Sequence, residues 1–274
     1  MQTTFTPEQM QEPGIVIAND ILRKCVHCGF CTATCPTYVL TGNELDSPRG
    51  RIYLFRDMLG SDRSPSESTV LHTDRCLSCL SCMTTCPASV DYMHLVDEAR
   101  NQIEKSYTRP FSDRLLRKIL TLVLPSPGIF RVALFFARLG KPLADLMPKR
   151  IRALLHLAPT KIKAASNFDH PKIFSPEGKP KMRVALMTGC AQRVLRPSIN
   201  EASIRLLTRH GCEVVIANGA GCCGALAHHM GHKNDTTTSA QANITAWDNS
   251  RDCLIYTSDA ADERSRVDLG GRRI

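Results

Sequence analysis

The chain has 274 residues, is 43% hydrophobic and 22% charged, and carries a formal net charge of +9. That balance belongs to a folded globular protein and excludes wholesale disorder, and no apolar run reaches the ~18 residues that a bilayer-spanning helix needs. Thirteen cysteines follow an opening, MQTTFTPEQM, that has neither a basic nor an apolar leader segment; this points to metal or redox chemistry rather than a secreted disulfide framework.

Composition divides the chain into residues 1–108, with eight cysteines in two blocks; 109–180, with none; 181–250; and 251–274. In the first stretch, Ser47-Pro48 is a good helix start, because serine caps and proline is tolerated at the first helical position. Ile52, Phe55, Met58 and Leu59 then recur at helical spacing up to Gly60, and the polar linker SDRSPSES follows. The second stretch reads as basic amphipathic helices punctuated by prolines. Residues 101–183 hold 17 Lys and Arg against 5 Asp and Glu, a local net charge of +12. Such a surface suits an acidic partner or an anionic membrane, or is simply a solvated helix face. No base-stacking motif accompanies it, so no nucleic-acid partner is expected. In the third stretch, residues 183–187 (RVALM) and 213–217 (EVVIA) read as buried strands. Helices are expected over 198–210 and from Ala225 on, which makes a parallel βαβ unit. The fold class is therefore mainly α: a helical two-cluster domain, a helical middle, then an incomplete α/β cysteine-rich domain.

The chemistry lies in the cysteine spacing. Cys25, Cys28, Cys31 and Cys35-Pro36 form the run C-x₂-C-x₂-C-x₃-C-P, and Cys76, Cys79, Cys82 and Cys86-Pro87 repeat it. This is the run of bacterial two-cluster ferredoxins, in which three thiolates wrap one [4Fe–4S] cluster and the fourth ligates the other. Carried over, that rule assigns Cys25, Cys28, Cys31 and Cys86 to one cluster, and Cys76, Cys79, Cys82 and Cys35 to the second. The competing chemistry is zinc, which two C-x₂-C pairs can hold, although two identical proline-closed runs fit it poorly. His27, inside the first loop, either hydrogen-bonds near that cluster or is a surface histidine; His72 and His94 carry no role readable from sequence.

Further on, Gly219-Ala220-Gly221-Cys222-Cys223-Gly224 is formally G-x-G-x-x-G between a strand and a helix. No acidic residue ends a strand ~20 positions later, which weakens a dinucleotide reading. The alternatives are small core cysteines or a redox or metal site. In the latter, the strand ends of one parallel sheet bring Cys190 beside Cys222 and Cys223. His228 and His229 are adjacent on a helix, are expected to face different ways, and so are not expected to ligate together.

These residues resemble the glycolate oxidase (glycolate dehydrogenase) iron–sulfur subunits, within the wider group of di-cluster proteins with CCG cysteine-rich domains. The resemblance rests on LRKCVHCGFCTATCPTYVLTGNELDSPRGRIYL (22–54), DRCLSCLSCMTTCPASVDYMHLVDEAR (74–100) and the spacing from Cys190 to Cys222-Cys223-Gly224, and covers about residues 1–250. It implies an electron-transfer subunit with two [4Fe–4S] clusters. The resemblance further implies that FAD sits only on a flavoprotein partner, where glycolate becomes glyoxylate, and that electrons pass to a quinone or another acceptor. The implied place is cytoplasmic, peripheral on the inner face of the membrane. The equivalent subunit of a lactate, glycerol 3-phosphate or heterodisulfide-reductase-like system shares the same cysteine spacing, and a zinc-stabilised basic binding module is the alternative of another class. The family normally continues further, with a second cysteine-rich domain. Here the family-like text is expected to stop near Asn249, and the tail RDCLIYTSDAADERSRVDLGGRRI is expected to be a truncation artefact in which Cys253 has no function. The Cys190, Cys222 and Cys223 site is accordingly expected to be incomplete, and residues 181–274 to be poorly stable in isolation.

Overall fold

The computed structural model describes residues 1–61 and 63–250; Cys253 and the rest of the expected tail lie outside the described residues. The chain divides into two units, one of residues 1–114 with 226–235, the other of 115–225 with 236 onward. The described residues are mainly helical, with one small sheet among them.

The first unit is built from α1 (Pro13–Lys24), α2 (Phe30–Ala33), α3 (Pro36–Thr41), α4 (Pro48–Gly60), α5 (Glu67–Asp74), α6 (Ser81–Thr85) and α7 (Tyr92–Ser106). In α1, Ile15, Ala18, Ile21 and Leu22 form one apolar stripe and pack on α7, whose Leu95, Val96, Ala99 and Ile103 face inward. Phe55 of α4 completes this core, and Cys25 and Cys82 belong to it. The α4 start is as the sequence implies: Ser47 Oγ accepts the Gly50 N–H at 2.9 Å, with Pro48 at the first helical position. The two cysteine loops share one backbone device. His27 and Gly29 in the first, and Ser78 and Leu80 in the second, occupy the left-handed region at equivalent positions. Non-glycine residues held there cost roughly 1 kcal/mol or more each, so both loops are wound the same way against local preference.

The second unit holds most of α8 (Phe111–Val123), then α9 (Pro127–Gly140) and α10 (Lys149–Leu157). The strands β1 (Lys172–Phe174), β2 (Met182–Ala185) and β3 (Cys212–Ile216) lie in the order β1-β3-β2. Strands β2 and β3 are parallel, with Val184 opposite Val214. The connection carries α11 (Gln192–Leu195) and α12 (Ser198–Arg209), so the expected βαβ unit is present. Val184, Leu186, Ile204, Cys212, Val214 and Ile216 form its core. A separate cluster, Phe130, Leu134, Ala158 and Val194, ties the helical middle to α11. One expectation changes. The stretch 109–180 is not helical throughout, because β1 adds an antiparallel edge to β3. Three residues are too short to show alternation, and β1 is fixed by tertiary contact, with Phe174 stacked on Phe168 at 5.5 Å. Two helices end the described chain, α13 (Ala225–His229) and α14 (Lys233–Ser250).

Candidate metal centres

Two cavities open among the cysteine loops. The first, about 460 Å³ including its mouth, is lined by Cys25, Cys28, Cys31, Cys82 and Cys86, with Ile52, Val90 and Tyr92 in its wall. The second, about 310 Å³, is lined by Cys35, Cys76, Cys79 and Cys82 with Pro36, Leu77 and Arg51. Each lining mixes the two runs: Cys82 and Cys86 join the first, Cys35 joins the second, and Cys82 lines both. Local structure explains the exchange: the left-handed turns curl three cysteines around one cavity, and the helical turns α2 and α6 carry Cys35 and Cys86 away from their own loops. These turns pack on each other, and the Thr34 and Thr85 hydroxyls meet at 3.4 Å.

The donor set suits an iron–sulfur group. Thiolates are soft ligands, and besides the cysteines the two linings hold one histidine, His27, and no Asp or Glu. Among the described residues, no group of three or more His, Cys, Asp or Glu side chains converges as a single ion requires; the thiols ring cavities instead. Cys25, Cys35 and Cys82 are buried, whereas Cys28 and Cys79 reach the surface. Burial, and then the neighbouring Cys76, push the Cys82 thiol up to about 12, and burial raises Cys31 as well. Such thiols ionise only when a cation compensates, so loading the site releases protons. Cys35 behaves otherwise. Burial opposes ionisation, but Thr37, the Tyr38 N–H and the Arg51 charge outweigh it and hold the thiol below its usual range.

Behind Cys35 lies a buried charged network that sequence reading missed. Asp46 is fully buried; it accepts from His72 Nδ1 at 2.7 Å and Arg75 Nη1 at 2.9 Å, with Arg51 Nη2 at 3.7 Å. Arg51 donates Nε to the His72 carbonyl at 2.7 Å and Nη2 to Thr37 Oγ1 at 3.1 Å. His72 therefore holds Asp46 in place. His27 is half-buried, with its ring edge-on to Tyr53 at 5.0 Å. Burial, then the charges of the N-terminus, Arg49 and Arg56, lower its pKa.

In the second unit, Cys222 Sγ lies 3.6 Å from Cys190 Sγ, while Cys223 is exposed. The Cys222 loop is pinned by Asn243 of α14, which accepts the Gly221 N–H at 3.0 Å and donates to the Cys222 carbonyl at 2.9 Å. No sequence signal marks Asn243 for that task. Burial, and also Cys190, raise the Cys222 thiol. His228 and His229 depart from expectation: both turn to Asp97, His228 Nε2 at 2.8 Å from Oδ2 and His229 Nδ1 at 3.6 Å from Oδ1. A helix of five residues ending at His229 does not impose the divergence of a long one.

A family model for the 4Fe-4S dicluster domain matches residues 24–90, and one for the Cysteine-rich domain matches 184–260, past the boundary expected near 250. The chain therefore belongs to the di-cluster iron–sulfur proteins that carry a cysteine-rich CCG domain. It is 42% identical over 90% of its length to the glycolate oxidase iron-sulfur subunit of Escherichia coli (strain K12), covering 57% of that protein. It is also 32% identical over 83% of its length to the probable glycolate oxidase iron-sulfur subunit of Bacillus subtilis (strain 168), covering 54%. Within the family it is thus a homologue of the glycolate oxidase iron–sulfur subunits. Lactate utilization protein A of Halalkalibacterium halodurans matches 63 residues at 35% identity, 23% of this chain and 26% of its own length. The chain spans a little over half the length of the first two relatives. No solved structure matches it. Among the described residues no helix is long and apolar enough to cross a membrane.

Proposed function

We propose that this chain is the electron-transfer subunit of a glycolate-oxidising complex, with residues 1–108 as its cluster-bearing part, 109–180 as a basic connector and 181–250 as its cysteine-rich part. Cys25, Cys28, Cys31 and Cys86 hold one [4Fe–4S] cluster, and Cys76, Cys79, Cys82 and Cys35 hold the other. The observation that supports this is that the eight thiols line two adjoining cavities, with Cys86 reaching the cavity of the first run and Cys35 that of the second, and Cys82 lining both. When bound, such clusters supply one-electron carriers. Glycolate oxidation to glyoxylate on the FAD of a flavoprotein partner yields two electrons and two protons; a quinone acceptor takes up two of each. The protein's own residues fix the ligands, wall the cavities with apolar side chains and leave Cys28 and Cys79 near the surface as points of electron entry and exit. Cys190, Cys222 and Cys223 form a partial third thiol site.

A peripheral place at the inner membrane face is supported by the helical middle. Residues 114–163 contain eleven Lys and Arg and one acid, Asp145. The same helices expose Leu115, Ile119 and Leu122 on α8, Val132, Phe135, Phe136 and Leu139 on α9, and Ile151, Leu154 and Leu157 on α10. A surface that is both basic and apolar suits an anionic lipid interface, on which it lies without spanning.

The test is iron, acid-labile sulfide and zinc per chain after anaerobic purification, with EPR of the dithionite-reduced protein. About eight iron and eight sulfide, with spin-coupled signals, are expected for two cubanes. Stoichiometric zinc without sulfide overturns the proposal. A lactate-oxidising complex is the second reading, favoured by the lactate utilization relatives; reduction of the chain by its flavoprotein with glycolate but not lactate separates the two.

A further inference from the structure

The two cysteine sets sit in unequal surroundings. Beside Cys76, Cys79, Cys82 and Cys35 the chain buries two guanidinium groups. Arg51 is 1% exposed, with Nη1 3.9 Å from Cys35 Sγ. Arg100 is 6% exposed; it donates Nη2 to the Cys76 carbonyl at 2.8 Å and Nη1 to Ser78 Oγ at 2.6 Å. Two hydroxyls face the same sulfurs. Tyr92, itself buried, donates to Cys76 Sγ at 3.7 Å, and Thr37 Oγ1, which accepts from Arg51, is 3.1 Å from Cys35 Sγ.

The nearby carboxylates do not cancel these cations, because each is shared. Asp46 faces Arg51, Arg75 and His72, and Asp97 faces Arg100, His228 and His229. Around the other set the charged groups are less buried. The Met1 ammonium, half-buried, donates to the Cys25 carbonyl at 3.0 Å, Arg49, also half-buried, crowds Gly29 and is tied to Glu44 at 2.8 Å, and Cys86 Sγ accepts the Val90 N–H at 3.5 Å.

Adding an electron makes a thiolate-ligated centre more negative. A buried cation or a donor to its sulfurs therefore stabilises the reduced form, and does so more strongly where water is excluded. We infer that the Cys76, Cys79, Cys82 and Cys35 set holds the higher-potential centre of the pair, with Arg51 and Tyr92 as the positioning residues that set the difference. The Cys25, Cys28, Cys31 and Cys86 set is then the side facing the reductant. The inference rests on the two-cluster reading and adds a direction to it.

The test is an EPR-monitored redox titration of the full chain, purified anaerobically with both clusters in place. Two separate midpoint potentials are expected. Tyr92→Phe and Arg51→Met lower the higher one and leave the other unmoved, while Arg51→Lys keeps most of the separation. Should Arg51→Met lose iron through misfolding, Tyr92→Phe, which removes one hydroxyl, carries the test alone. Coincident potentials in the parent, or substitutions that move the lower potential or both together, overturn the inference. Failure to find two clusters at all is a different result, visible in the iron and sulfide content, and refutes the functional reading instead.

Discussion

Replacing Gly50 with alanine sets two effects of known size against each other. Gly50 lies in the first turn of α4, where Ala in place of Gly gains at most ~1 kcal/mol in helix propensity. A Cβ there, however, would overlap the Glu44 carbonyl oxygen and stand 2.7 Å from the Glu44 carbonyl carbon and 2.9 Å from Leu45 Cα. All three are backbone atoms, so no side-chain rotation relieves the overlap, and the loop that carries Asp46 has to move. Overpacking of this kind costs about 1–3 kcal/mol, and three backbone contacts place this case at the upper end. The net expectation is a loss of about 2 kcal/mol, or roughly 6–12 °C in Tm for a unit of this size. Gly14→Ala is the control. Its Cβ meets the carboxylate end of Glu98, with Oε1 at 2.6 Å, and a flexible glutamate can swing away; stability should hold or rise slightly. Thermal unfolding followed by circular dichroism and by the cluster absorbance distinguishes the two. A Gly50→Ala chain as stable as the parent would refute the steric argument.

Three further outcomes follow from the same geometry. Burial acts to raise the Asp97 pKa, but the hydrogen bond from His229 and the His228 charge outweigh it and hold the carboxyl below its usual range. A depressed carboxylate pKa contributes stability above the unfolded value, ~3.9, that is lost as pH falls through the folded one. Asp97→Asn should accordingly cost about 1 kcal/mol from neutral pH down to pH ~4, with the penalty shrinking only below that, as read from denaturant midpoints on both sides of pH ~4; a constant penalty contradicts the charge argument. Stripping iron with a chelator should loosen residues 1–108 selectively, since Cys25 and Cys82 are part of their apolar core. Hydrogen exchange would show α1, α4 and α7 losing protection while β2 and β3 keep theirs, and equal loss in both units speaks against it. Phe136→Glu with Leu139→Glu should weaken sedimentation with phosphatidylglycerol vesicles about tenfold or more while leaving iron content unchanged. Binding to neutral phosphatidylcholine vesicles with equal strength rejects the anionic-lipid assignment.

What sequence reading supplies here follows from the range of the interactions. Loop winding is local, so the spacing of Cys25, Cys28 and Cys31 places those residues together without knowledge of the rest of the chain. The βαβ unit is similarly legible, because its strands are short buried apolar runs and α12 has its own stripe. The surroundings of the thiols are not legible. Asp46, Arg51 and His72 come from three separate segments, and each alone looks like a surface residue. Asn243 reaches Cys222 and Gly221 from α14, while Lys172 to Phe174 become a strand only because β3 offers an edge. The turning of His228 and His229 to one carboxylate likewise depends on Asp97, 131 residues from His228 in sequence.

The phrase Ser47-Pro48-Arg49-Gly50-Arg51 shows how closely fold and site are joined. Ser47 and Pro48 start α4, and Arg49 closes onto Glu44 across the turn. Gly50 lets that turn approach the helix backbone. Only with the turn drawn in can Asp46 reach Arg51, His72 and Arg75 together, and only then is a fully buried guanidinium at position 51 matched by a carboxylate. An unmatched buried charge would cost several kcal/mol. The same arrangement that makes Arg51 tolerable therefore places it beside Cys35, and a substitution that widens the turn should disturb the potential of that centre before it disturbs the ligands themselves.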